Sequence, residues 1–219
     1  ECYLEVGTYK GRSLCAAVSD NRSARFVAVE NYLEFGMLGL EARAELARNI
    51  ERYAAGCDIA LLEGDCFRVL ARPEAVDRPV GVYFYDGAHT GLTHYLALGV
   101  VEPLLADEAL VLVDDASWPM VQQAHRRYLD RHPGWEVVRT WDAVRDDDPR
   151  WANGLHVLAF RRPVGARRTM GAGTRARRLV QVGVRGPATS VVWRALHRYP
   201  KLVPLAKRLV PKQSRTVVE

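Results

Sequence analysis

Glu1-Cys-Tyr-Leu-Glu-Val-Gly-Thr-Tyr-Lys-Gly-Arg-Ser13 is the stretch on which the reading of the chain turns. Cys2 to Val6 reads as a short buried strand, Gly7 to Gly11 as a tight turn, and Arg12 to Val18 as the start of a helix. A strand that runs through a glycine turn into a helix makes a cradle for a nucleotide-like ligand. Glycine lets backbone approach closely, and the free N–H groups of the helix start face the ligand. The candidate cradle residues are Glu5, Gly7, Thr8, Tyr9, Gly11 and Ser13. The dinucleotide fingerprint would place three glycines here. This chain has two, with Glu5 just before the turn. An acid there repels a pyrophosphate but pairs with an ammonium or a sulfonium-bearing amino acid. On this stretch alone, an ordinary β-turn-α connection remains the alternative.

Working outward, strands and helices alternate. Arg25–Glu30 reads as a second strand ending in an acid, Gly39–Ala55 as a helix, and Asp58–Glu63 as a third strand followed by Asp65 and a short helix from Cys66. Pro79–Tyr85 is a fourth strand stopped by Asp86-Gly87, and Thr90–Leu105 a helix. Ala109–Val113 is a fifth strand closed by Asp114-Asp115, and Trp118–Arg131 a helix. Trp135–Thr140 is a sixth strand, Asp142–Asn153 a polar loop with three consecutive aspartates, and Leu155–Phe160 the last strand. The alternation predicts an α/β fold with a doubly wound, mostly parallel sheet. The first, third, fourth and fifth strands are nearly all apolar, as strands covered on both faces should be.

Ligands of such sheets bind beyond the carboxyl ends of the strands, where the strand order reverses. Acids fall at that end of five successive strands: Glu5, Glu30, Asp65, Asp86, and the pair Asp114 and Asp115. Glu30 lies nineteen residues past Gly11, near the spacing at which an acid accepts ribose hydroxyls. Asp65 and Cys66 are expected beside an adenine ring. Asp86, Asp114 and Asp115 would repel one another unless a divalent cation sat among them, and all-oxygen ligands suit Mg²⁺ or a similar hard ion. The plainer alternative is that Asp86 helps hold the cofactor and Asp115 caps the next helix. His89, three residues past Asp86, is a candidate base near neutrality.

Composition sets the outer limits. The 219 residues, 48% hydrophobic, fit one domain with an appendage. No apolar run reaches the roughly 18 residues of a bilayer span. Cys2, Cys15, Cys57 and Cys66 lack metal-site spacing and read as thiols of a reducing cytoplasm. The chain enters its first strand at once, so residues before Glu1 are expected to be missing. From Pro163 onward there are thirteen Lys and Arg against one acid, leaving 18 basic and 25 acidic residues in the body. This predicts a domain over residues 1–162 and a basic extension over 163–219, with a linker at Gly165–Gly173 and an amphipathic helix at Ala188–Tyr199. The apolar face of that helix is Val191, Val192, Ala195, Leu196 and Tyr199, and Pro200, Pro204 and Pro211 follow it. A basic amphipathic segment suits an anionic membrane surface or an acidic partner. Few aromatics and an acidic body argue against nucleic acid, and assembly into an oligomer is left open.

Leu4–Ser13, Tyr85-Asp-Gly-Ala-His89 and Val113-Asp-Asp-Ala-Ser117 together resemble the motifs of class I S-adenosylmethionine-dependent methyltransferases. The branch is that of the catechol and macrocin-type sugar O-methyltransferases. Asp114 and Asp115 lie 28 and 29 positions past Asp86, the spacing that branch uses. The resemblance implies a seven-stranded Rossmann-like sheet with an antiparallel last strand. It implies that Glu5, Gly7 and Thr8 hold the methionine part of the cofactor, that Glu30 meets the ribose, and that Asp65 lies near the adenine. Asp86, Asp114 and Asp115 would hold a Mg²⁺-like ion. The position of the lysine base of the catechol enzymes is His89 here, and that of an aspartate given this role in the sugar enzymes is Ala88. Asp115 stands where the catechol enzymes carry asparagine. The implied activity is metal-assisted O-methylation of a small hydroxyl compound, a sugar or a phenol. A metal-independent methyltransferase and a non-catalytic module docked through the tail are the alternatives.

Overall fold

The computed structural model describes residues 1–32, 37–143, 151–199 and 201. The consecutive aspartates of the polar loop, and Pro200, Pro204 and Pro211, lie outside the described residues, as does the side chain of Leu196. Seven strands form one sheet: β1 (Cys2–Val6), β2 (Arg25–Glu30), β3 (Asp58–Glu63), β4 (Val80–Tyr85), β5 (Leu105–Asp114), β6 (Trp135–Trp141) and β7 (Leu155–Arg161). Their order is β3-β2-β1-β4-β5-β7-β6. β1 to β5 pair in parallel, whereas β7 runs antiparallel to both β5 and β6. The sheet is therefore the mostly parallel, Rossmann-like one expected, with its antiparallel strand inserted next to the edge.

Helices α1 (Arg12–Ser19), α2 (Met37–Tyr53), α3 (Cys66–Val69), α4 (Gly91–Val101) and α5 (Pro119–Leu129) connect the strands. Leu14 and Val18 of α1 and Leu46 of α2 close one face of the sheet over Phe26 and Ala28. On the other face α4 is buried almost throughout, from Thr93 to Val101, because α5 and the C-terminal helix α6 (Ala172–Val180) cover its outer side. α4 ends earlier than its apolar run suggests. Pro103 has no N–H to continue the helical ladder, and Leu105 opens β5 instead. β3 also departs from expectation. It is apolar in sequence, but it is the sheet's edge, and Leu61 is 50% exposed.

The C-terminal chain is folded onto the body. Thr174 of α6 is buried against Gly99 of α4, and the Arg177 guanidinium lies 4.9 Å from the centre of the Tyr95 ring. Arg178 donates to the Phe67 carbonyl at 2.9 Å, and Arg68 donates to the Val182 carbonyl at 2.9 Å. A wide π-type turn at Gln181–Arg185 joins α6 to α7 (Gly186–Arg198), in the region where the amphipathic helix was expected. Among the described residues, no helix is long and apolar enough to cross a membrane.

Candidate functional site

The order β3-β2-β1-β4-β5 reverses between β1 and β4. Chain connections leaving those two strands diverge to opposite faces, which opens a crevice at their carboxyl ends. Gly7 ends β1 there with φ +88°, a conformation open to glycine. Its amide continues the ladder to Val29 at 3.0 Å, while the Asp86 amide does the same to Val6 at 2.9 Å. The tips of β1, β2 and β4 are thus held together by backbone bonds. Gly11, at φ 83°, occupies the N-cap of α1, and no side chain caps that helix end.

Glu5 is fully buried, and its carboxylate accepts hydrogen bonds from Tyr3 Oη at 2.6 Å and Ser13 Oγ at 3.1 Å. Burial pushes its pKa up, and these hydroxyls oppose the shift. Glu30 accepts three backbone N–H groups: Tyr9 at 2.7 Å, Asn31 at 2.7 Å and Tyr32 at 3.1 Å. It ties the turn after β1 to the turn after β2. Tyr9 (φ 47°) and Tyr32 (φ 53°) both adopt left-handed backbone there, a conformation that costs a non-glycine residue about 1–3 kcal/mol and gathers at functional sites. Asp65 caps α3 by accepting the Phe67 N–H at 2.8 Å, with Cys66 half-buried beside it.

The second cluster surrounds the turn after β4. Tyr85 is buried under that turn and donates to the Ala88 carbonyl at 3.0 Å, and Thr93 donates to the same carbonyl. His89 is thereby aimed across to β5, where its Nδ1 meets Oδ2 of Asp115. Trp118 packs edge-on against the His89 ring at 5.6 Å. Asp86, His89 and Asp115 each present a ligand atom within 4.8 Å of the others, a possible seat for a metal ion. Asp115 is 5% exposed and left-handed at φ 57°. It does not cap α5, whose N-cap is Trp118 without a side-chain bond. Asp114 adjoins this trio but is not part of it. Its Oδ1 accepts the Trp151 indole N–H at 2.6 Å and the Asp115 N–H at 2.8 Å. Burial, then the charge of Asp114, pushes Asp86 up to about 8; burial, then Asp115, raises Asp114.

Two carboxylates and an imidazole in so small a space fit a divalent cation. The donor set suits Mn²⁺ or another borderline ion as well as Mg²⁺. Sequence reasoning did not anticipate Trp118 and Trp151. Trp151 lies 37 residues from Asp114 in a loop, where no periodicity marks it. A separate hollow of about 390 Å³ beside Glu108, Gly134 and Arg161 opens at the opposite ends of the strands and contains none of these residues.

A crevice at the switch point, a two-glycine turn and an acidic rim define the fold of class I S-adenosylmethionine-dependent methyltransferases. A family model described as a methyltransferase domain matches residues 4–116, just over half of the chain, and the chain belongs to that family, methyltransferase family 24. No curated protein sequence matches it. Among solved structures, it is similar to an O-methyltransferase from Bacillus cereus in complex with S-adenosylhomocysteine. The two are 16% identical with TM-score 0.58, and 73% of each chain is covered. The S-adenosylhomocysteine-bound methyltransferase PaMTH1 of Podospora anserina is 16% identical with TM-score 0.54, over 74% of this chain and 71% of that one. The O-methyltransferase TomG of Streptomyces achromogenes, involved in tomaymycin synthesis and in complex with S-adenosylmethionine, is 18% identical with TM-score 0.53, over 74% and 73%.

Proposed function

We infer that this protein transfers the methyl group of S-adenosylmethionine to a hydroxyl of a small molecule such as a sugar or a phenol, with a divalent cation at the acidic rim. The observation that carries this reading is the gathering of Asp86, His89 and Asp115 beside the Gly7 turn. Glu5, Gly7, Thr8, Tyr9, Gly11 and Ser13 would hold the amino-acid end of the methyl donor, with Glu30 at its ribose and Asp65 and Cys66 at its adenine. Asp86 and Asp115 would hold the cation, with Asp114 set behind them by Trp151. When bound, such an ion lowers the pKa of a hydroxyl and orients it.

The residues of the chain do the rest. The rim would hold an acceptor hydroxyl next to the methyl donor, and alignment of two bound reactants removes much of the barrier. His89, oriented by Asp115, would take the hydroxyl proton. Trp118 packs edge-on against that ring and helps fix its orientation.

The His89–Asp115 pair also supports a second reading, because a histidine oriented by a carboxylate is how a base works without a metal. Calorimetry with S-adenosylmethionine, and transfer to a panel of sugars and phenols before and after EDTA, separate the two. Loss of transfer with EDTA and its return with Mg²⁺ or Mn²⁺ support the cation. Full transfer after EDTA leaves the metal-free reading. Failure to bind the donor removes both.

A further inference from the structure

We propose that the outward face of α6, the π-type turn and α7 docks this protein on an anionic lipid bilayer. The inner face of this helical stretch is fixed to the body. Thr174 is buried against α4, Arg178 bonds to the carbonyl of Phe67, and Val182 packs on the main core. That attachment sets which side is left in water. Leu179, Val180, Val184, Val191 and Val192 lie there, each between 49% and 64% exposed. Val180, Val184 and Val191 follow one another at intervals of four and seven, the spacing of a single helical face, and Leu179 and Val192 flank them.

Scattered exposed apolar residues are ordinary, but a contiguous stripe along one helical segment marks an interaction site. The charge pattern selects the occupant. Arg175, Arg185, Arg198 and Lys201 are exposed along the same stretch, and no acid occurs between Pro163 and Val218. A second copy would bring arginine against arginine. A nucleic acid would satisfy the guanidinium groups but leave the valines and leucine in water. A bilayer with anionic headgroups satisfies both, because the apolar side chains enter the headgroup boundary while the arginines pair with phosphate. The body, with its excess of acids, is repelled by the same surface, so the stretch binds with its outward face down. This inference stands independently of the methyl-transfer reading.

The test is co-sedimentation of the full chain with phosphatidylcholine vesicles, with and without phosphatidylglycerol. Sedimentation with the anionic vesicles and weakening by salt are expected, because screening reduces the headgroup attraction. The double variant Val184→Glu/Val191→Glu and the double variant Arg175→Glu/Arg185→Glu should each reduce binding about tenfold. Thermal melts of both variants should match the parent, since these side chains are exposed. The proposal is overturned if anionic vesicles do not sediment the chain, or if both variants bind as well as the parent. It is equally overturned if the chain binds heparin or a protein partner but no vesicle. A dimer on gel filtration that the valine variant dissolves, without vesicle binding, would assign the face to self-association instead.

Discussion

A methyl group placed on Gly7 would lie 1.8 Å from the carbonyl oxygen of Asp86. The two segments that bound the crevice therefore touch backbone to backbone, and the first residue of the donor turn and the first residue of the acidic cluster are positioned by the same contact. Gly7→Ala must both move Asp86 and adopt φ +88°. Overpacking and a left-handed non-glycine residue together cost about 2–4 kcal/mol, equivalent to a fall of roughly 5–15 °C in melting temperature for a chain of this size. Calorimetry should find no binding of S-adenosylhomocysteine by this variant. A stable variant with parental affinity would refute the contact.

The pH dependence of the apo protein tests the crowding of carboxylates. Asp86 is raised from 3.8 to about 8, first by burial and then by Asp114. Its proton is held more tightly in the folded protein than in the unfolded chain. The stability from that proton is fully present below about 4 and is lost as pH rises through about 8. The melting temperature of EDTA-treated protein should decline across this window, and Asp86→Asn should flatten the decline. A divalent cation displaces the proton and reverses the trend, so added Mn²⁺ should raise the melting temperature more at pH about 8 than at pH about 6. Equal shifts at both would separate Asp86 from the ion.

Much of the frame behind these predictions could be read from residues. Apolar runs bounded by Gly and Asp gave β1 and β3 at Cys2–Val6 and Asp58–Glu63, the limits the structure has. What failed was information that sequence does not carry locally. β3 carries an apolar run, Ile59–Leu62, much as β4 does, yet β3 is an edge, because strand order depends on long-range pairing. Asp114 and Asp115 are adjacent in sequence, but the left-handed turn at Asp115 swings one carboxylate toward His89 and leaves the other to Trp151. Spacing alone does not distinguish the two carboxylates.

Glu5→Gln isolates the charge of the donor cradle. The amide keeps the shape and can still accept from Tyr3 or Ser13, which now hold the carboxylate at 2.6 and 3.1 Å. The buried charge of Glu5 is held against desolvation, so removing it should change the melting temperature little. In the proposed function its counterpart is the ammonium of the methyl donor. Truncating one partner of a buried, hydrogen-bonded charge pair costs roughly 2–5 kcal/mol of binding, which corresponds to a loss of about 30-fold or more in affinity for S-adenosylhomocysteine by calorimetry. Unchanged affinity would remove Glu5 from the site.

Behind His89, three more histidines run inward: His94 at 6.3 Å between ring centres, then His125 at 5.5 Å from His94, then His156 at 5.0 Å from His125. His125 and His156 share a hydrogen bond of 2.7 Å between their Nδ1 atoms. Neither ring nitrogen of His94 has a hydrogen-bond partner among the described residues, although the side chain is fully enclosed. Burial, then the neighbouring histidines, holds His94 well below its ordinary 6.5; the same causes lower His125 to about 3, and burial lowers His156. The unfolded chain takes up protons that the folded protein refuses. Stability from this column is therefore complete above about 6.5 and is lost as pH falls toward about 3. His94→Phe removes the unpaired nitrogens and keeps an aromatic edge against Tyr85, 5.2 Å away. Urea unfolding should show this variant about 1–2 kcal/mol more stable at pH about 7, since an unsatisfied buried group is removed, and further ahead at pH about 5. A variant less stable than the parent at neutral pH would mean that His94 is satisfied by a group it must keep.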